Sequence, residues 1–244
     1  MHVTYFIPGP MSRGPLGGGE LERRRGYLER HAAPGTSVSV RDWHRGPASI
    51  ESSAEEYLSV PGLLEAAPLL EGEGTGAIIV GCFGDPGLSG AREVTAIPVV
   101  GPGQASAHLA AQLGSRFAVL TVVDEVVPAI RRQMRGHGLD GFLSEVLAVD
   151  VPVLELRGRR DEVVGELELA GRRALRNGAD ALVLGCMTMG FLDVARDLQE
   201  QLGVPVVNPV LASLKLAETL VATGMAPSTA AYPTPRKGLD TAMV

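Results

Sequence analysis

Short, nearly unbroken apolar runs recur along the 244-residue chain, each followed by a longer amphipathic stretch. Residues 77–81 and 181–185 contain no polar side chain, as expected of strands covered on both faces. Residues 3–7, 37–40, 97–100, 117–123 and 204–207 read as further strands. Helices are predicted over 20–31, near 54–59, and over 125–137, 161–176, 192–202 and 209–224. Ser52 and Ser53 each stand three residues before a Glu and so compete as capping boxes. Pro61 and Pro68 then predict a region broken into short pieces. Gly178 and Gly224 suit helix ends, and Pro209 suits a first turn. A Gly- and Pro-rich loop covers residues 8–19, and the stretch through Pro227, Pro233 and Pro235 reads as a surface tail. The alternation of strand and helix predicts α/β layers around parallel sheets.

The pattern repeats. Gly81-Cys82, Ala91-Arg92, Pro98-Val99-Val100, Pro102 and Ala105-Ser106 recur as Gly185-Cys186, Ala195-Arg196, Pro205-Val206-Val207, Pro209 and Ala212-Ser213. The offset is 104 up to the Ala-Arg pair and 107 afterwards, so three residues are inserted before the short strand. This predicts two similar α/β halves, beginning near residues 1 and 116, related by a pseudo-twofold axis.

Composition narrows the partners. The chain is 45% hydrophobic and 20% charged, as in a soluble globular protein. A net charge of −6 and 4% aromatic residues argue against nucleic acid. No apolar run is long enough for a membrane span, and the N-terminal residues lack a basic n-region, so a cytoplasmic setting is expected. The five histidines show no ligand spacing, and no metal is expected. Only Lys215 and Lys237 are lysines, a poor basis for Schiff-base chemistry with pyridoxal phosphate; no cofactor is expected. The loop at Gly17-Gly18-Gly19 lacks the Gly-Lys-Ser/Thr of a phosphate loop and reads as a mobile connection or a flap over a cleft. Gly101-Pro102-Gly103 reads as a turn, and the clusters Arg23-Arg24-Arg25 and Arg157/Arg159/Arg160 read as solvated helix ends.

Candidate chemistry centres on the chain's two cysteines. A lone cysteine beside an apolar strand is usually an inert core residue. Here Cys82 and Cys186 occupy the same address in each repeat, directly after a buried strand and a glycine. Ligands of open α/β sheets bind at the carboxyl ends of strands. Packed about a twofold, the two thiols would face each other across one cleft, a base and an acid on opposite faces of a carbon being inverted. Such a substrate is a small carbon acid, with its C–H next to a carbonyl. Backbone N–H groups at Phe83-Gly84 and Met187-Thr188, with the Thr188 hydroxyl, are candidate donors to the developing enolate oxygen. A redox or structural pair is the competing use, but the spacing is not Cys-x-x-Cys.

The stretch Cys82-Phe83-Gly84-Asp85-Pro86-Gly87-Leu88 with Ala91-Arg92-Glu93 resembles the first cysteine motif of the aspartate/glutamate/hydantoin racemase superfamily, in its hydantoin and allantoin racemase branch. Leu184-Gly185-Cys186-Met187-Thr188-Met189, followed by Leu202-Gly203-Val204-Pro205-Val206 and Pro209-Val210, is similar to the second. Ser49-Ile50-Glu51-Ser52, Tyr232-Pro233 and Lys237 also fit. The resemblance implies two α/β subdomains with the active site between them, residues 1–103 plus 209–244 forming one and 104–208 the other. It also implies cofactor-independent racemisation by Cys82 and Cys186, and a homo-oligomer. Where hydantoin racemases carry Asn-Pro-Asn, this chain has Ile7-Pro8-Gly9, and Met187 intervenes before Thr188. With Ile7, Gly9, Phe83, Gly84, Met187 and Thr188 as substrate-contacting positions, the pocket is expected to be less polar and to favour a bulkier 5-substituted hydantoin over allantoin. Maleate isomerisation and arylmalonate decarboxylation are the alternatives within the superfamily. A non-enzymatic ligand-binding protein is the alternative outside it.

Overall fold

The apolar runs become the inner strands of two separate four-stranded parallel sheets in the computed structural model, which describes residues 1–237. In the first half the order along the chain is β1 (His2–Ile7), α1 (Gly18–His31), β2 (Ser37–Asp42), α2 (Ser53–Gly72), β3 (Ala77–Val80), α3 (Leu88–Val94), β4 (Val99–Val100) and α4 (Pro102–Leu113). The second half runs β5 (Phe117–Thr121), α5 (Val127–Gly136), β6 (Leu143–Ala148), α6 (Arg160–Arg176), β7 (Ala181–Leu184), α7 (Met187–Gly190), α8 (Ala195–Leu202), β8 (Val206–Val207) and α9 (Pro209–Ala222). Strand order is β2-β1-β3-β4 in one sheet and β6-β5-β7-β8 in the other, the same topology twice.

The repeat holds at the level of single hydrogen bonds. Ile78 N–H donates to Pro98 O and Leu182 N–H to Pro205 O, both at 2.9 Å. Gly81 N–H donates to Phe6 O and Gly185 N–H to Leu120 O, both at 2.6 Å. Ser106 and Ser213 hydroxyls each donate to the carbonyl of the proline that opens their helix. The helices after β4 and β8 are exchanged between the halves. Ala107 and Ala110 of α4 pack with Phe117, Val119, Ala181 and Val183 of the second sheet. Val210, Leu214 and Ala217 of α9 pack with Val3, Tyr5, Ala77 and Ile79 of the first.

Several local expectations are corrected. The region after Ser52 is one helix, not short pieces, although Pro61 and Pro68 lie inside it. Its inner face, Leu63, Ala66, Ala67 and Leu70, is buried against Phe6, Ile78 and Val80. That burial outweighs the hydrogen bonds lost to the prolines. Pro61 frees the carbonyl of Tyr57, a residue 70% exposed, where water can take its place. Ser52 wins the capping contest: its Oγ accepts from Glu55 N–H at 3.2 Å. Gly101-Pro102-Gly103 is no isolated turn but the start of α4, the counterpart of Pro209 in α9. Gly18 and Gly19 are the first residues of α1 instead of a free flap. Strand β6, whose apolar pattern is interrupted by Ser144 and Glu145 at the sheet edge, and the short α7 carry no clear signature in the sequence. Among the described residues no helix is long and apolar enough to cross a membrane. The end of the expected surface tail, residues 238–244, lies outside the described residues.

Candidate active site

The carboxyl ends of β1, β3, β5 and β7 open into one cleft of about 350 Å³, within the usual range for a small-molecule site. Ile7, Gly81 and Cys82 enter it from one sheet, and Thr121, Gly185 and Cys186 from the other. All eight positions singled out from the sequence line this cleft: Ile7, Gly9, Cys82, Phe83, Gly84, Cys186, Met187 and Thr188. The glycine before each cysteine is a packing requirement. A Cβ on Gly81 would stand 2.6 Å from Phe6 O, and one on Gly185 would stand 2.6 Å from Val119 Cγ1. Only glycine lets the neighbouring strand approach this closely, and the approach fixes where the next residue's side chain emerges.

Both cysteines are free thiols, Cys82 half-buried and Cys186 buried. Burial pushes each thiol up from its ordinary value, because a thiolate loses its water there. The opposing influences differ. At Cys82 only the Gly84 N–H favours the thiolate, while the charges of Cys186, Glu56 and Asp85 oppose it. At Cys186 the N–H groups of Met189 and Thr188, the Arg24 charge and the Thr188 hydroxyl all favour the thiolate. The two thiols therefore meet different polar surroundings. The N–H groups expected to serve an enolate oxygen, at Gly84 and Thr188, here face the sulfurs.

Arg24 corrects the expectation that the Arg23-Arg24-Arg25 cluster is solvated. Its side chain is 1% exposed and lines the cleft. Nη2 donates to Thr188 Oγ1 at 2.9 Å, and Nε donates to Glu20 Oε1 at 2.8 Å. The guanidinium lies 4.8 Å from the Phe191 ring centroid. Glu20, also 1% exposed, accepts from Arg23 as well, and these partners hold its carboxyl at about 2 despite burial. Arg157, on the surface, reaches Glu20 at 3.4 Å, while Arg159 and Arg160 stay solvated. The signal for Arg24 was present: Glu20, Arg24, Tyr27 and Leu28 fall on one face of a helix, and all four are buried.

Asp85 of the cysteine motif is structural. It sits at φ 56° and accepts from Gly103 N–H at 2.9 Å and Gln104 N–H at 2.7 Å, tying the turn after Cys82 to the start of α4. Gln133 donates to Phe83 O at 2.8 Å, and Arg132 donates to Ser53 Oγ at 2.9 Å, so α5 grips the other half across the cleft. Among the described residues no cluster of three or more His, Cys, Asp or Glu is placed to hold a metal.

A family model described as Asp/Glu/Hydantoin racemase matches residues 24–217. The chain belongs to the Asp/Glu/hydantoin racemase family. It is 40% identical over 213 residues to a hydantoin racemase of Rhizobium meliloti, covering 84% of this chain and 86% of that one. It is 39% identical over 180 residues to a hydantoin racemase of Pseudomonas sp. (strain NS671), covering 73% and 72%. Its fold is similar to that of the allantoin racemase from Klebsiella pneumoniae, with a TM-score of 0.88, 30% identity, and 98% and 95% coverage.

Within this racemase fold the pocket is mixed rather than uniformly apolar. Met11, Ile50, Val126, Ile130 and Val153 supply apolar walls, and Arg24, Ser52, Glu56, Arg132 and Gln133 supply polar ones. Ile7 is 6% exposed and packs mainly in the core, so replacing a polar residue there strips less polarity from the cleft than the sequence suggested. Arg24 comes from α1, Glu56 from α2 with Ser52 as its cap, and Arg132 and Gln133 from α5.

Proposed function

We propose that the chain racemises a 5-substituted hydantoin without a cofactor, with Cys82 and Cys186 as the two proton-transfer groups. The observation that carries this reading is the arrival of the chain's only two cysteines, from equivalent strand ends, in one cleft. The Cys186 thiolate takes the C5 proton, leaving an enolate delocalised onto the neighbouring carbonyl. The Cys82 thiol then gives its proton to the opposite face of C5 and becomes the thiolate. Running from the other enantiomer, the roles exchange. The apolar wall of Ile50, Val126, Ile130 and Val153 suits the 5-substituent.

The decisive experiment is incubation of an L-5-alkylhydantoin in D₂O. Loss of optical rotation with deuterium incorporation at C5 is expected for the native chain. Cys82→Ala and Cys186→Ala should each lose racemisation by at least ~10³-fold. Wild-type rates in either variant would end the two-thiol mechanism.

The same reading divides the chain into residues 1–103 plus 209–244 and residues 104–208; the exchange of α4 and α9 between sheets supports it. It also includes a homo-oligomer, supported by the exposed Leu109, Leu113 and Leu216 on α4 and α9, with sedimentation as its test. A cytoplasmic setting is supported by the two free thiols.

A further inference from the structure

Glu56 is a cleft residue that the proton-transfer scheme leaves without a task. It sits in the first turns of α2, is half-buried, and lines the cleft. Its position relative to Cys82 is defined at Gly84: a Cβ there would stand 3.7 Å from Glu56 Oε2 and 3.8 Å from Cys82 Sγ. The carboxylate and the sulfur thus border the same small volume. Among the described residues no side-chain hydrogen bond holds this carboxylate; burial pushes it up, as does the Asp85 charge, while Arg132, which itself donates to Ser53, draws it down. The half-buried carboxylate faces the open cleft, where a ligand N–H can reach it.

We infer that Glu56 reads the ring N–H beside the reacting carbon, and so selects neutral cyclic ureides over carboxylate-bearing carbon acids. The inference rests on the hydantoin reading above and adds its recognition element. With C5 against Cys82, the adjacent N1–H is the donor that falls beside Glu56, whereas N3–H lies across the ring. The Glu56 charge balances Arg132, so an anionic substrate finds no free cation on that side of the cleft. Neutralising Glu56 leaves Arg132 unbalanced and admits anions.

Substrate methylation separates this role from a general effect on Cys82. Racemisation is measured for L-5-isobutylhydantoin and for its N1-methyl and N3-methyl derivatives, with native protein, Glu56→Met, which removes the acceptor, Glu56→Gln, which removes only the charge, and Glu56→Asp. N1-methylation should lower native kcat/KM by about 10–100-fold, and should lower that of Glu56→Met only slightly, because the accepting oxygen is already gone. The N3-methyl effect should be the same in both. Inhibition by hydantoin-5-acetate should tighten in Glu56→Gln and stay weak in Glu56→Asp, which keeps the charge. Equal N1-methyl penalties in native protein and Glu56→Met would overturn the inference while leaving the racemase reading intact. Failure of the native protein to exchange C5 deuterium with any hydantoin would remove both.

Discussion

Arg24 Nη2 donates to Thr188 Oγ1 at 2.9 Å, joining a helix of the first half to the turn that carries the second cysteine. Through this contact a buried cation from one half of the repeat acts on a thiol of the other, and the two thiols become unequal although the fold that presents them is nearly symmetric.

Replacing Thr188 tests that asymmetry with little loss of packing. Thr188→Val keeps the shape and removes the hydroxyl that favours the Cys186 thiolate. The thiol should become harder to ionise, so iodoacetamide labelling of Cys186, mapped by mass spectrometry, should shift to higher pH. The Cys82 labelling profile should move less. Equal shifts at both thiols would show that the hydroxyl does not act on Cys186 in particular.

Single-thiol variants should retain exchange on one face only. Cys82→Ala keeps Cys186 as a base and should wash deuterium into one enantiomer, while Cys186→Ala should do so into the other. Chiral chromatography coupled to mass spectrometry reads this directly. The same enantiomer exchanging in both variants would contradict thiols on opposite faces.

Glu20 gives the fold an acid-sensitive contact. Its carboxyl lies at about 2 in the folded chain against an ordinary 4.5. A depressed folded value means the stabilisation is complete above the ordinary value and is lost as pH falls through the folded one, so the window runs from pH 4.5 down to about 2. The shift corresponds to about 3 kcal/mol. Glu20→Gln should flatten urea-unfolding stability across that window and lower stability at neutral pH by ~3 kcal/mol, because Arg24 stays buried with its carboxylate partner gone.

Gly81→Ala should be severe. The added methyl meets a backbone oxygen at 2.6 Å, which no side-chain rotation can relieve. A loss of roughly 2–4 kcal/mol in denaturant unfolding is expected, with racemisation falling further than stability alone explains, because Cys82 is displaced. Near-normal stability and activity would show that the strand spacing is adjustable.

The sequence by itself determined the repeat, and with it most of the architecture. Periodic apolar runs and the 104- and 107-residue offsets fix two equivalent α/β halves, because strand burial and strand–helix alternation are local properties of the chain. The two cysteines were legible for the same reason: identical neighbours imply identical strand ends. Pro102 as a helix start is legible from its match to Pro209, while the glycines on either side of it carry a turn signal that masks the helix. Tertiary structure decided the rest. A proline-containing α2 stays continuous because a distant sheet buries its inner face. Arg24 is buried because Glu20, Phe191 and Thr188 surround it, two of them more than 160 residues away in sequence. Glu56 reaches the side of Cys82 only once α2 packs beside the turn at Gly84. Charge placed by packing between remote segments leaves no periodic trace, so the sequence marked the thiols but the fold decided which charged and polar groups surround each of them.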